Sequence, residues 1–213
     1  MEQEKNKLSP THSRKKIAIV GSHTGCGTSH IAFSLVSTLN YMGYESIYFE
    51  QQNQNSLQNF HPFLFPIKES NGMLRYRYFK GFPFYGPGVF ISVESAADFD
   101  IYDFGNTFPP EPSDFDIVLF VCSNGIWHWH EAFQKGELLK KQSTHLIIIC
   151  NMGQRYTMHC FSKQFAKEVF QYPYESSPFG VTSKKVSFFS NILQIKRRKS
   201  LFFHLRNKFI PKK

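Results

Sequence analysis

Lys15 to Gly43 reads KKIAIVGSHTGCGTSHIAFSLVSTLNYMG, and this stretch decides the fold. Ile17 to Val20 is a short apolar run of the buried-strand type. It passes through a Gly-rich turn, Gly21 to Ser29, straight into a helical pattern with apolar residues at Ile31, Leu35, Val36 and Leu39. A strand, a glycine-rich loop and a helix in that order serve anion binding. The glycines let successive backbone N–H groups turn inward, and the helix N-terminus adds about half a positive charge.

The phosphate-loop pattern G-x-x-x-x-G-K-[ST] falls on this segment with Ser22 at the first glycine, Gly27 at the second and Thr28 where the lysine should stand. Ser29 keeps the hydroxyl that meets magnesium. The register resembles the deviant Walker A motif of the ParA/MinD family (SIMIBI-class P-loop ATPases), K-G-G-x-G-K-[ST], laid on His23-Thr24-Gly25-Cys26-Gly27-Thr28-Ser29. Both of that motif's lysines are absent. The resemblance implies ATP and Mg2+ as ligands, with Gly25, Cys26, Gly27, Thr28 and Ser29 around the phosphates. Removing a charged stabiliser from such a site typically costs about a hundredfold to a thousandfold in rate, so a weak or inactive ATPase is expected. His23 is expected to be a solvated loop residue, with partial substitution for the missing lysine charge as the alternative.

The rest of the chain supplies the other parts in order. Ser46 to Glu50 (SIYFE) reads as a parallel strand beside the first. Glu50 is followed by the amides Gln51, Gln52, Asn53 and Gln54, where the resembling family carries further carboxylates that orient magnesium and water. Residues 72 to 91 alternate as an edge hairpin or strand, with the Arg75 to Lys80 cations facing solvent. Phe99 to Gly105 (FDIYDFG) resembles the Walker B strand, making Asp103 the catalytic carboxylate and, with Ser29, a magnesium ligand. An aspartate capping the following turn is the competing reading of Asp103. Asp98 and Asp100, at the far end of that strand, read as solvated.

Phe115 to Ser123 and His145 to Cys150 are further buried-type strands, separated by a helix over Trp127 to Lys141. The His128-Trp129-His130 triplet does not read as a metal site, because the two imidazoles diverge on a helix; Trp127 and Trp129 read as packing residues. Asn151 ends the last of these strands. In the resembling family that asparagine reads the adenine edge; an Asx-turn after a strand explains it equally well. Helices over 158–167 and 184–193 flank a segment in which Pro173 matches the family's cover over the base.

The length of 213 residues, 41% of them hydrophobic and 17% aromatic, suits one α/β domain, a mostly parallel sheet flanked by helices, over residues 15–195. Residues 1–14 are polar and expected to be disordered. The net charge of +9 comes from the ends, because residues 196–213 hold eight Lys/Arg and no acid. As a helix over 196–209 the tail gathers Leu201, Phe202, Leu205 and Phe209 on one stripe, the pattern of a segment lying on an anionic membrane. A final helix packed on the domain is the alternative, and nucleic acid is the less favoured partner. Four scattered cysteines and no signal-peptide pattern indicate a reducing, cytoplasmic setting, with peripheral attachment at the inner face of the membrane through the tail.

The resulting expectation is a ParA/MinD-like nucleotide-binding protein with degenerate Walker motifs, acting as a positioning or regulatory scaffold module. A homodimer or a protein partner is implied by the resemblance, the dimer weakened because His23 stands at the lysine that crosses to the other subunit. The alternatives are an active ATPase switch of the partitioning or pilus-positioning type, and a Rossmann-type dinucleotide-binding protein with Glu50 near the ribose position.

Overall fold

The computed structural model of the chain describes residues 14–51, 64–68, 74–78, 83–85 and 97–198. Among these residues nine strands form one sheet: β1 (Lys15–Gly21), β2 (Ser46–Glu50), β3 (Leu64–Lys68), β4 (Leu74–Tyr78), β5 (Pro83–Tyr85), β6 (Phe99–Asp103), β7 (Ile117–Ser123), β8 (Leu146–Asn151) and β9 (Val169–Gln171). Their spatial order is β3-β4-β5-β2-β6-β1-β7-β8-β9. From β2 to β9 every pairing is parallel, giving a six-stranded parallel core. β5 joins β2 in parallel, and β4 and β3 extend that edge antiparallel.

Two expectations change here. β2 does not lie beside β1, because β6 is inserted between them and pairs with both. The edge contains one more strand than the 72–91 alternation suggests. β3 carries Pro66, which cannot donate to a ladder and is tolerated at the outermost position.

Parallel strands covered on both faces are expected to be buried and mostly apolar, and β1 from Ile17 onward, and β2, β6 and β8 along their whole length, are buried, with Glu50, Asp100, Asp103 and Asn151 among the polar exceptions, at strand ends or paired. The helices α1 (Thr28–Tyr41) and α4 (Ser183–Leu193) cover one face, packing Ile31, Leu35, Leu39, Phe189 and Ile192 on Ile17, Ile19, Ile101, Leu119 and Ile149. On the other face α2 (Trp129–Gln142) and α3 (Arg155–Phe165) set Ala132, Leu139, Phe161 and Phe165 against Ala18, Val20, Val118, Phe120 and Ile148. Each buried Val, Leu, Ile or Phe side chain among these contributes about 1.5–3 kcal/mol, enough for this double-faced core to hold the strand ends in register.

Only the start of the basic tail is described. Residues 196–198 are not helical: the Tyr44 hydroxyl donates to Lys196 O at 2.7 Å, the Arg198 guanidinium meets Asp98 at 2.8 Å, and its backbone N–H donates to Met42 O at 2.9 Å. The predicted helix over 196–209 therefore does not begin at 196, and its remainder from 199 lies outside the described residues, as do residues 1–13. Asp98 and Asp100 are not solvated either. Asp98 holds Arg198, and Asp100, 2% exposed, is paired with Arg14 at 2.5 Å.

Candidate functional site

The sheet's strand order reverses around β1. The chain leaves β1 for β2 on one side and later crosses from β6 to β7 on the other, so a crevice opens at the carboxyl ends of these strands. The glycine-rich loop lies there. Its first residues are clamped between the neighbours of β1: Gly21 N donates to Gly105 O at 2.6 Å and Ser22 N to Val121 O at 2.8 Å. Gly27, with φ 99°, turns the chain into α1, whose first intrahelical bond runs from Ile31 N to Gly27 O at 3.0 Å. This is a strand–loop–helix anion cradle, with the N-terminus of a fourteen-residue helix behind it.

Thr28 turns its side chain away from the role of a phosphate-reaching lysine. Its hydroxyl lies 3.2 Å from Cys26 Sγ, and both are buried against Gly21, where an added Cβ would meet Thr28 Oγ1 at 2.3 Å. Asn151, at the end of β8, lies on the loop itself: Nδ2 donates to Cys26 O at 3.0 Å, and a Cβ on Gly27 would come within 2.2 Å of it. Asn151 is 3% exposed, and its Oδ1 has no hydrogen-bond partner among the described residues. That acceptor belongs to a side chain seated on the glycine loop through its Nδ2.

Asp103 and Ser29, assigned together from sequence, are brought together. The fully buried Asp103 carboxylate accepts from the Ser29 hydroxyl, from the Tyr48 phenol at 2.8 Å and from Gly105 N at 2.9 Å. Burial pushes its carboxyl above the usual carboxylate range, against the pull of those three hydrogen bonds. Tyr48 in turn titrates well above an ordinary phenol, through burial first and then the charges of Asp103 and Glu50. Glu50, buried, occupies the position on β2 that pairs with Asp103 on β6. Ser29 and Asp103 thus present oxygen donors only, the chemistry a hard divalent cation prefers, with Glu50 on the neighbouring strand position. Among the described residues no group of three His, Cys, Asp or Glu side chains is placed to hold a metal.

His23 is not a solvated loop residue. It is 9% exposed, its Nδ1 lies 2.8 Å from Ser22 Oγ, its Nε2 lies 3.2 Å from Ser123 Oγ, and its ring stacks on His128 at 3.9 Å. Burial, with His128 next, lowers its pKa. His130 points elsewhere and meets Gln134 at 3.0 Å. Trp129 packs as expected, beside Phe161, whereas Trp127 is 91% exposed and is not a packing residue.

Sequence reasoning missed three residues of this site. Lys135 of α2 donates to the carbonyls of Gly21 (3.1 Å), Ser22 (3.3 Å) and Asn106 (2.7 Å). Asn106 also donates from Nδ2 to Thr24 Oγ1 at 3.0 Å, fastening the turn after β6 to the loop. His30, directly after Ser29, stacks on Tyr174 at 5.1 Å, one residue beyond Pro173, and the segment that follows is held by the buried Lys185 through Ser177 O (2.9 Å) and Gly180 O (2.8 Å). No spacing rule signals Lys135, because only the packed position of α2 brings it to the loop.

The fold and loop define a P-loop NTPase-like α/β domain. Its strand order excludes the Rossmann alternative, in which the second strand pairs directly with the first. More narrowly, the fold is that of the ParA/MinD ATPases. The chain superposes on a ParA family ATPase from Chlorobium tepidum with a TM-score of 0.66 at 14% identity, covering 87% of this chain and 99% of that one. A chain of the MinC:MinD cell division complex of Aquifex aeolicus matches with TM-score 0.62 at 13% identity, over 93% and 98%. The septum site-determining protein MinD of Pyrococcus horikoshii, complexed with Mg-ADP, matches with TM-score 0.55 at 14% identity, over 83% and 93%. No protein-family model and no curated protein matches the chain in sequence.

Proposed function

We propose that this chain binds a nucleoside di- or triphosphate, ATP first among them, at the Gly25–Ser29 loop and turns it over slowly or not at all, serving as a nucleotide-dependent positioning or regulatory scaffold module. One observation carries the reading: the backbone cradle and the Ser29–Asp103 bond are kept, while Gly21 to Ser29 holds no lysine or arginine. Backbone N–H groups and the α1 dipole bind phosphate without any side-chain charge. Hydrolysis asks for more, because charge moving to the leaving oxygens needs a cation in place. The superposed MinD of Pyrococcus is a Mg-ADP complex, which supports the same ligands here.

In this reading Ser29 Oγ and Asp103 would hold Mg2+, Asn151 Oδ1 would offer an acceptor to the nucleotide, and Tyr48 keeps Asp103 oriented. The metal would supply charge neutralisation between the phosphates. A homodimer or a protein partner follows from the same likeness, and the tail from 199 onward is the segment proposed to meet an anionic membrane at its cytoplasmic face. Isothermal titration with Mg-ATP, Mg-ADP and NAD tests the binding, and a phosphate-release assay tests the turnover. Nucleotide affinity with turnover far below about 1 per second is expected; ordinary turnover would establish the active-switch alternative instead, and absence of binding would end the reading.

A further inference from the structure

Both positions that carry lysine in the resembling motif are uncharged here, yet a lysine reaches the loop from another element. We propose that Lys135 of α2 supplies the positive charge of the phosphate site in place of those lysines, acting as a positioning residue for the polyphosphate of the nucleotide. The inference rests on the nucleotide-binding reading above.

Lys135 Nζ touches the carbonyls of Gly21 and Ser22, where the loop begins, and of Asn106, in the turn after Asp103, so its charge stands between the two segments that flank the cradle. These three carbonyls match the three N–H donors of an ammonium, so Lys135 acts through its field and through the backbone rather than by gripping phosphate. Because the peptide unit is planar and trans, drawing the Ser22 carbonyl toward Lys135 turns the His23 N–H to the opposite side, away from α2. The placement is built in: a Cβ on the adjacent Gly136 would lie 2.4 Å from Phe165 Cζ and 3.0 Å from Phe120 Cε1, so only glycine lets α2 settle this closely.

His23 is poorly suited to this role, since burial and then His128 lower its pKa, Lys135 adding to them and Glu131 opposing. Burial also lowers the Lys135 pKa, with Glu131 and Cys26 acting in the opposite direction. In a half-buried setting a unit charge is felt over several ångströms far more strongly than in water.

The test is titration of the full chain with Mg-ATP, Mg-ADP and AMP for the wild type, Lys135→Met, Lys135→Arg and Lys141→Met, the last an equal charge change at the exposed end of the same helix. Lys135→Met is expected to lose about tenfold or more in Mg-ATP affinity, less for Mg-ADP and little for AMP. Lys135→Arg should recover most of the loss, and Lys141→Met should bind as the wild type does. A lysine that merely braces the fold would weaken all three ligands alike, and that pattern overturns the proposal, as does unchanged affinity in Lys135→Met. If Lys135→Met does not fold, Lys135→Gln keeps two N–H donors for the carbonyls, removes the charge and carries the same expectation. A wild type that binds none of the ligands refutes the nucleotide reading itself and this proposal with it.

Discussion

Replacing Gly27 by alanine separates two demands that one residue meets. With φ at 99° the position lies in the left-handed region, where an L-residue costs about 1–2 kcal/mol. The new Cβ would also stand 2.2 Å from Asn151 Nδ2, so Asn151 must move and give up its bond to Cys26 O. A lost buried hydrogen bond adds about 1 kcal/mol or more, because the Cys26 carbonyl is left without that donor. The total is about 2–4 kcal/mol, measurable as a shift of the urea midpoint at constant slope. Gly25, with φ 81° and no neighbouring atom within 4 Å of where a Cβ would stand, supplies the comparison: Gly25→Ala should cost the backbone strain alone. In a double-mutant cycle, Asn151→Ala should relieve part of the Gly27→Ala penalty, giving a coupling of about 1 kcal/mol. Equal costs for Gly25→Ala and Gly27→Ala, with additivity in the cycle, would refute the claim that Asn151 is seated on the loop.

Thr28→Lys should tighten Mg-ATP binding by about tenfold in calorimetry, since a charge-assisted bond to phosphate replaces a hydroxyl turned toward Cys26; unchanged affinity would show that the loop does not hold phosphate in the P-loop manner. The raised Asp103 pKa has a definite sign in stability: the folded chain keeps the proton where the unfolded chain has released it, so the Asp103 contribution falls as pH rises from the ordinary carboxylate range through the raised folded value. Urea titrations across that range should therefore show a downward slope that Asp103→Asn removes, and identical slopes in both proteins would contradict it. For the tail, truncation after Arg198 keeps the Arg198–Asp98 pair and removes the rest; the full chain should float with anionic vesicles and the 1–198 chain should not. Equal flotation would place the membrane contact elsewhere or nowhere.

The parts of this protein that were legible in its sequence are those governed by local rules. A run such as IAIVG followed by glycines and an amphipathic stretch fixes strand, turn and helix within one contiguous segment, and the resemblance of that segment and of FDIYDFG to the family's motifs singles out Ser29 and Asp103, whose side chains do meet. What local rules do not carry is which elements become neighbours. Nothing in SIYFE or FDIYD says that β6 lies between β1 and β2, yet that insertion is what lets Tyr48 reach Asp103 and sets Glu50 beside it. Asp98 and Asp100 misled for the same reason. Each reads as solvated until its partner arrives from far along the chain, Arg198 from 100 positions away for Asp98 and Arg14 from 86 positions away for Asp100.

Lys135 is the sharpest instance, and it bears on how an eroded motif should be weighed. A motif counts residues along the chain, but a phosphate responds to charge in space, and Lys135 of α2 reaches the carbonyls of Gly21 and Ser22 from more than a hundred positions away. Loss of both motif lysines therefore argues for slow chemistry, where a cation must already stand at the oxygens that gain charge, more strongly than it argues against binding, where backbone N–H groups and a more distant charge suffice. The two properties come apart in this site. On the proposed reading, a site that keeps the cradle and gains a charge from α2, while lacking a lysine on the loop itself, would bind a nucleotide and hydrolyse it slowly.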